Sequence, residues 1–256
     1  MLPTRVKDAF YTLVRSVGGI ANSVVILSYH TISDSKTFGA VTPEMFEAQM
    51  RYLYEAHFNV ISLAQLAELF EKGSLPPKTV CITFDDGYRD NYSIAYPILK
   101  KYNLPATLFV VSDWIGKKSA AYHGEEIDLL SEVEICELDT TDLIAIESHT
   151  AAHQVLPSLS LEACEEEIRR SREKLERLLG RPVQHLAYPK GRHSKEVRDA
   201  AARARVRFAY TTLEGVVRTG DDFLQLHRNG IDRTVTLAQF KGMALLGRLS
   251  RLRLFA

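Results

Sequence analysis

The sequence is short of several features that would assign it to a class at once. Its 256 residues hold three cysteines, Cys81, Cys136 and Cys164. That is too few and too scattered for a disulfide framework or a thiolate metal site, and their apolar or helical surroundings suit reduced core thiols. Neither charge is in excess: Lys+Arg and Asp+Glu are 32 each, so no global field points to nucleic acid. No apolar run approaches the roughly 20 residues needed to span a bilayer. The N-terminal stretch lacks a signal-peptide core because Arg5, Lys7, Asp8 and Arg15 interrupt it, and a cytoplasmic protein is expected. Repeats, low-complexity segments and long Pro, Gly or Ser linkers are also missing, so residues 1–256 are expected to form one domain.

What is there is a hydrophobic content of 46%, enough for a large core. Seven short apolar runs read as strands: Val24–Tyr29, Thr79–Phe84, Ala106–Val111, Leu143–Ser148, Gln184–Tyr188, Arg207–Thr212 and Phe223–His227. Most are continuously apolar, the pattern of strands covered on both faces of a parallel sheet. Amphipathic helical patterns separate them. One places Phe46, Met50, Leu53 and Tyr54 on a face; another runs from Leu161 to Leu179, with Leu161, Cys164, Ile168, Leu175 and Leu178 as its stripe. Gly180 and Pro182 supply its stop signal. Alternating strands and helices define an α/β protein of βα units.

Polar residues gather just past these strands: His30, Asp85 with Asp86, His149, Tyr188 and His227. In parallel α/β folds the loops at the carboxyl ends of the strands converge on one face, where sites are built. Asp85-Asp86-Gly87 alone reads as a turn. His149 and His153 in "SHTAAH" are four apart, which on a helical turn places both rings on one face. Two imidazoles and one carboxylate form the three-ligand pattern of an open catalytic metal site, and a second carboxylate is left over.

"TFDDG" (Thr83–Gly87), "SHTAAH" (Ser148–His153), "AYPKG" (Ala187–Gly191) and "LQLHR" (Leu224–Arg228), in that order, resemble the motifs of the polysaccharide deacetylases of carbohydrate esterase family four. The resemblance implies a distorted (β/α) barrel with about seven parallel strands, acting on an N-acetylated glycan or sugar precursor. It implies metal-dependent removal of the N-acetyl group from an amino sugar. By the same resemblance, Asp86, His149 and His153 hold the metal, Asp85 is the base, and the backbone N–H of Tyr188 is an oxyanion donor. His227 is the nearest match to the general acid; a satisfied strand-end histidine is the other reading, because the segment also resembles a branch with proline there and the arginine retained. The donor set suits zinc first, with cobalt, nickel or iron also accommodated.

Two features depart from the family pattern. Ala187 stands where many members carry an arginine that orients the base, and the Asp-Trp pair of the fourth motif has no counterpart. Arg228 is a candidate for the missing arginine's duty, while Trp114 lies too far upstream in motif order to supply the tryptophan. His30 reads either as a rim residue or as a histidine packed in a βα loop, and Glu147 and Ser148 as partners that could hold an imidazole tautomer. Two other functions remain open: a deformylase or amidohydrolase of a small or lipid-linked substrate, and a barrel that binds glycan without turnover. Finally, residues of about 1–20 form an N-terminal extension. The tail of about 240–256 interleaves Lys241, Arg248, Arg251 and Arg253 with apolar residues. It reads as a final barrel helix or as an amphipathic helix making peripheral contact with the inner membrane face.

Overall fold

The computed structural model describes residues 22–37, 39–119 and 126–247. Eleven strands follow in chain order: β1 (Ser23–Tyr29), β2 (Asn59–Val60), β3 (Thr79–Phe84), β4 (Ala106–Val110), β5 (Lys118–Ser119), β6 (Ile127–Asp128), β7 (Ile144–Ser148), β8 (His185–Ala187), β9 (Phe208–Tyr210), β10 (Val217–Arg218) and β11 (Asn229–Gly230). The main sheet runs β10-β1-β3-β4-β7-β8-β9, with β2 beside β3 and β11 beside β1. Every pairing in it is parallel except β1 with β10. With helices between the strands, this is a distorted (β/α) barrel in a single domain.

Six of the expected strands form. The seventh does not: Asp222 accepts backbone N–H groups from Leu224 at its side chain and Gln225 at its carbonyl, so the run at 223–227 begins in a turn. Only Leu226 keeps a parallel bridge, to Tyr210, and three residues later β11 pairs with Leu27 and Ser28 of β1. One broken segment therefore touches β9 at one edge of the sheet and β1 near the other.

The strands are buried on both faces, and alternation sorts their side chains. Val25, Leu27 and Tyr29 of β1 pack with Val80, Ile82 and Phe84 of β3 in the core that receives the helices. Val24 and Ile26 pack on the other side with Cys81, Phe109, Ala187, Tyr210 and Leu226. A buried Leu, Ile or Phe contributes about 1.5–3 kcal/mol, so a face reversed by a one-residue slip would cost several such terms. Register Tyr29↔Phe84 then sets His30 beside Asp85, at the carboxyl ends of neighbouring strands.

The helix Leu161–Leu179 has the expected bounds, with Ser160 as N-cap and Gly180 left-handed at φ 69°. Its stripe is shifted from the expectation: Leu161 is exposed, while Glu167 and Ser171 are buried. Likewise Tyr54 is exposed and Gln49 takes the inward place, bonded by the Tyr29 hydroxyl. All three inward polar residues bond the sheet or the site loop: Glu167 accepts from Ala152, Ser171 pairs with Ser148 and Gln49 accepts from Tyr29. Cys81 and Cys164 are buried free thiols and Cys136 is half-buried.

The helix Leu237–Leu246 packs Phe240, Met243 and Ala244 into the core and stops at left-handed Gly247. The tail thus begins as a barrel helix, and the basic residues from Arg248 onward, like the extension at 1–20, lie outside the described residues. Among those described, no helix is long and apolar enough to cross a membrane.

Candidate metal centre

Asp85 continues the parity of Cys81 and Thr83 and faces the barrel interior. In an extended strand Asp86 would point the opposite way. Its left-handed backbone, φ 72°, redirects it, and Gly87 continues the turn at φ 77°. Both Asp86 oxygens are buried without a hydrogen-bond partner. One of them, Oδ1, lies 3.5 Å from Nε2 of His149 and 3.5 Å from Nε2 of His153.

The histidines do not share a helical turn, contrary to the expectation from their spacing. Residues 149–153 form a loop in which Thr150 (φ 66°) and His153 (φ 58°) are left-handed, and that loop brings the rings to 4.8 Å. Glu167 holds it by accepting the Ala152 N–H. His149 Nδ1 donates to the Ala187 carbonyl at 2.8 Å, which fixes the tautomer and leaves Nε2 for a ligand. Neither flanking residue does this: Glu147 accepts from Arg181 and the amides of Gln184 and His185, and Ser148 pairs with Ser171.

One donor atom from each of Asp86, His149 and His153 lies within 4.8 Å of the others. Tetrahedral coordination at about 2.0–2.2 Å spaces ligand atoms about 3.3–3.6 Å apart, which the two Asp86 contacts meet. A buried carboxylate with no donor of its own is costly unless a cation or donor satisfies it. The residues therefore fit a divalent metal.

The charges agree with that fit. Burial pushes the Asp86 carboxyl up, but the His149 contact and the His30, His149 and His153 charges hold it below its ordinary value. Burial pulls the His149 ring down, and Asp85 and Asp86 more than offset it, a net rise. His153 is held down to about 4, by burial first and then by His149.

Arg228 reaches Asp85. It is fully buried and bonds Asp85 twice, Nη1–Oδ1 at 2.6 Å and Nη2–Oδ2 at 2.7 Å, while Nε donates to the Thr211 carbonyl. Burial pushes the Asp85 carboxyl up; Arg228, then His149, overcome it and hold the group well below the usual carboxylate range.

Two expected site residues are placed elsewhere. His227 has the opposite parity to Leu226 and Arg228, so when Arg228 faces inward His227 faces out; it lines a different cavity, with Glu214 and Arg218. The Tyr188 amide donates to the Tyr210 carbonyl at 3.0 Å and its hydroxyl to the Leu224 carbonyl, so it has no donor to offer an oxyanion.

The site cavity, about 480 Å³, is lined by Asp85, His149, His153 and Arg228 together with His30 and Lys190. His30 is thus a rim residue, and its Nδ1 is buried without a partner. Lys190 is left-handed (φ 56°), and among the described residues its amide donates to nothing. Gly191 permits this turn: a Cβ there would stand 2.1 Å from Thr212 Oγ1. Trp114, set aside on motif order, packs its ring 5.2 Å from that of His153. No local pattern announces this contact, because β4 and β7 bring the two together through the sheet.

Fold and site define a distorted (β/α) barrel with a candidate metal centre past the carboxyl ends of its strands. More particularly, the family model for polysaccharide deacetylase matches residues 72–209, and the chain belongs to that family. It is 32% identical over 204 residues to YxkH of Bacillus subtilis, covering 79% of this chain and 69% of that protein. It is 28% identical over 230 residues to the poly-beta-1,6-N-acetyl-D-glucosamine N-deacetylase of Staphylococcus epidermidis, covering 81% and 78%. Among solved structures it resembles the Streptococcus pyogenes deacetylase PplD in complex with acetate, with TM-score 0.77 and 26% identity over 88% of this chain and 99% of that one.

Proposed function

We propose that this protein is a divalent-metal-dependent N-deacetylase of an N-acetylglucosamine polymer. The observation that carries the reading is Asp86, orphaned in a buried site between two imidazoles, next to an aspartate held by a buried arginine. The name of the staphylococcal relative supports a β-1,6-linked substrate.

Asp86, His149 and His153 would hold the cation, which when bound supplies Lewis-acid polarisation of the amide carbonyl and a more acidic water. Asp85 accepts the proton of the attacking water; Arg228 keeps it ionised and aimed. The Lys190 amide, which bonds none of the described residues, donates to the developing oxyanion in place of Tyr188. The departing nitrogen must be protonated, since an amide anion is a poor leaving group. His30, in the same cavity, is placed to give that proton, and His227 is not. The non-catalytic alternative is disfavoured because His30, Asp85, His149, His153 and Lys190 line one cavity, with Asp86 against both imidazoles. The test is release of acetate with matching free amine from β-1,6-linked N-acetylglucosamine oligomers; an inert protein with metal bound at Asp86 would reject the reading.

A further inference from the structure

We propose that the second cavity, on the far side of the Glu214–Gly215 wall, binds a neighbouring sugar unit of the same glycan chain. The proposal rests on the deacetylase reading above. This cavity measures about 310 Å³ and takes its walls from Glu214, Val216, Arg218, Gln225, His227 and Leu246. That volume lies at the small-ligand end of binding pockets.

Glu214 lines both cavities, so a chain leaving the candidate metal centre over this residue enters the second one. The wall between them is built rather than loose. Arg228 N–H donates to the Leu213 carbonyl at 3.1 Å, and buried Asn229 bonds Gly215 at both N–H (3.1 Å) and carbonyl (2.7 Å). Along the same segment, alternation sends Arg228 to Asp85 and His227 to the other side. The His227 ring lies directly on the Gly215 backbone: a Cβ at 215 would stand 2.4 Å from its Nδ1. Glycine is what lets the imidazole lie against that wall.

The lining matches a pyranose. Val216 and Leu246 offer an apolar surface for the ring's C–H face, while Glu214, Arg218, Gln225 and His227 offer donors and acceptors for hydroxyls and the N-acetyl group. Binding energy from such a remote unit accelerates reaction at the scissile amide, so it is read in kcat/KM against chain length.

The experiment uses the full chain loaded with zinc, and β-1,6-linked N-acetylglucosamine as monomer and pentamer. We expect kcat/KM for the pentamer to exceed that for the monomer by at least ~10-fold, and His227→Ala and, separately, the exposed Arg218→Ala to cut that ratio at least ~5-fold. Thermal melting checks that each variant folds. Equal kcat/KM for monomer and pentamer, or folded variants that keep the wild-type ratio, would overturn the proposal. If no acetate is released from either substrate, the deacetylase reading fails, and calorimetric binding of the pentamer decides the cavity: weaker binding in both variants supports it, and unchanged binding overturns it.

Discussion

Arg228 grips Asp85 with both ends of its guanidinium; the arginine side chain is fully buried, and Asp85 keeps only a small exposure toward the site cavity. The arginine comes from the segment that closes the barrel, 143 residues along the chain from its partner. Closure of the fold and orientation of Asp85 are therefore achieved by the same contact. Removing one partner strands a buried charge, which costs about 3–5 kcal/mol. Arg228→Met should lose stability on that scale and turnover with it. Adding Asp85→Asn should restore part of the stability and none of the turnover. Denaturant melts of the single and double variants read this; a double variant less stable than Arg228→Met would contradict it.

His149→Ala and His153→Ala should each lose most bound metal and activity together, because a three-ligand site missing one ligand loses geometry and affinity. Asp85→Asn should keep its metal and lose about 10²–10⁴-fold in rate, the usual range for a general base. Metal analysis alongside turnover separates the two groups. Full metal occupancy in either histidine variant would remove it from the ligand set.

His30→Gln should keep fold and metal and lose about 10²–10⁴-fold in kcat, far more than His227→Ala on the monomeric substrate. A larger loss in His227→Ala than in His30→Gln would return the acid role to His227.

The candidate metal triad was legible because "TFDDG" and "SHTAAH" offer two carboxylates and two imidazoles, and the family resemblance picks Asp86 from the pair. The strands were legible because both-face burial leaves continuous apolar runs. Parity was not. Whether His227 or Arg228 turns inward depends on a register set by the Leu226 bridge and by β11, neither visible in a run that starts in a turn. Backbone groups were equally hidden, since no side chain marks the Ala187 carbonyl as the holder of His149 or the Tyr188 amide as already spent. The left-handed Thr150 and His153 likewise made a loop where spacing suggested a helix.

His185, stacked 5.0 Å from Phe208 with Tyr210 Oη 2.8 Å from its Nδ1, tests the account of the barrel interior. Burial, then Arg181 and Arg207, hold its imidazole down to about 3. Between that value and the ordinary one near 6.5, the unfolded chain binds a proton the folded chain does not, so this contribution to stability is lost as pH falls through the window. His185→Phe should therefore flatten the decline of stability between about pH 6.5 and 3. An unchanged slope would contradict the buried neutral ring.

Whether Asp86, His149 and His153 hold a catalytic divalent cation is decided by one titration. Protein stripped with chelator is titrated with zinc, and acetate release from a β-1,6-linked N-acetylglucosamine pentamer is followed with bound metal measured in parallel. Stripped protein should release negligible acetate, recovery should saturate at one metal per chain, and Asp86→Ala should recover neither metal nor rate. Full release from stripped protein, or one zinc bound per chain in Asp86→Ala, would contradict such a site.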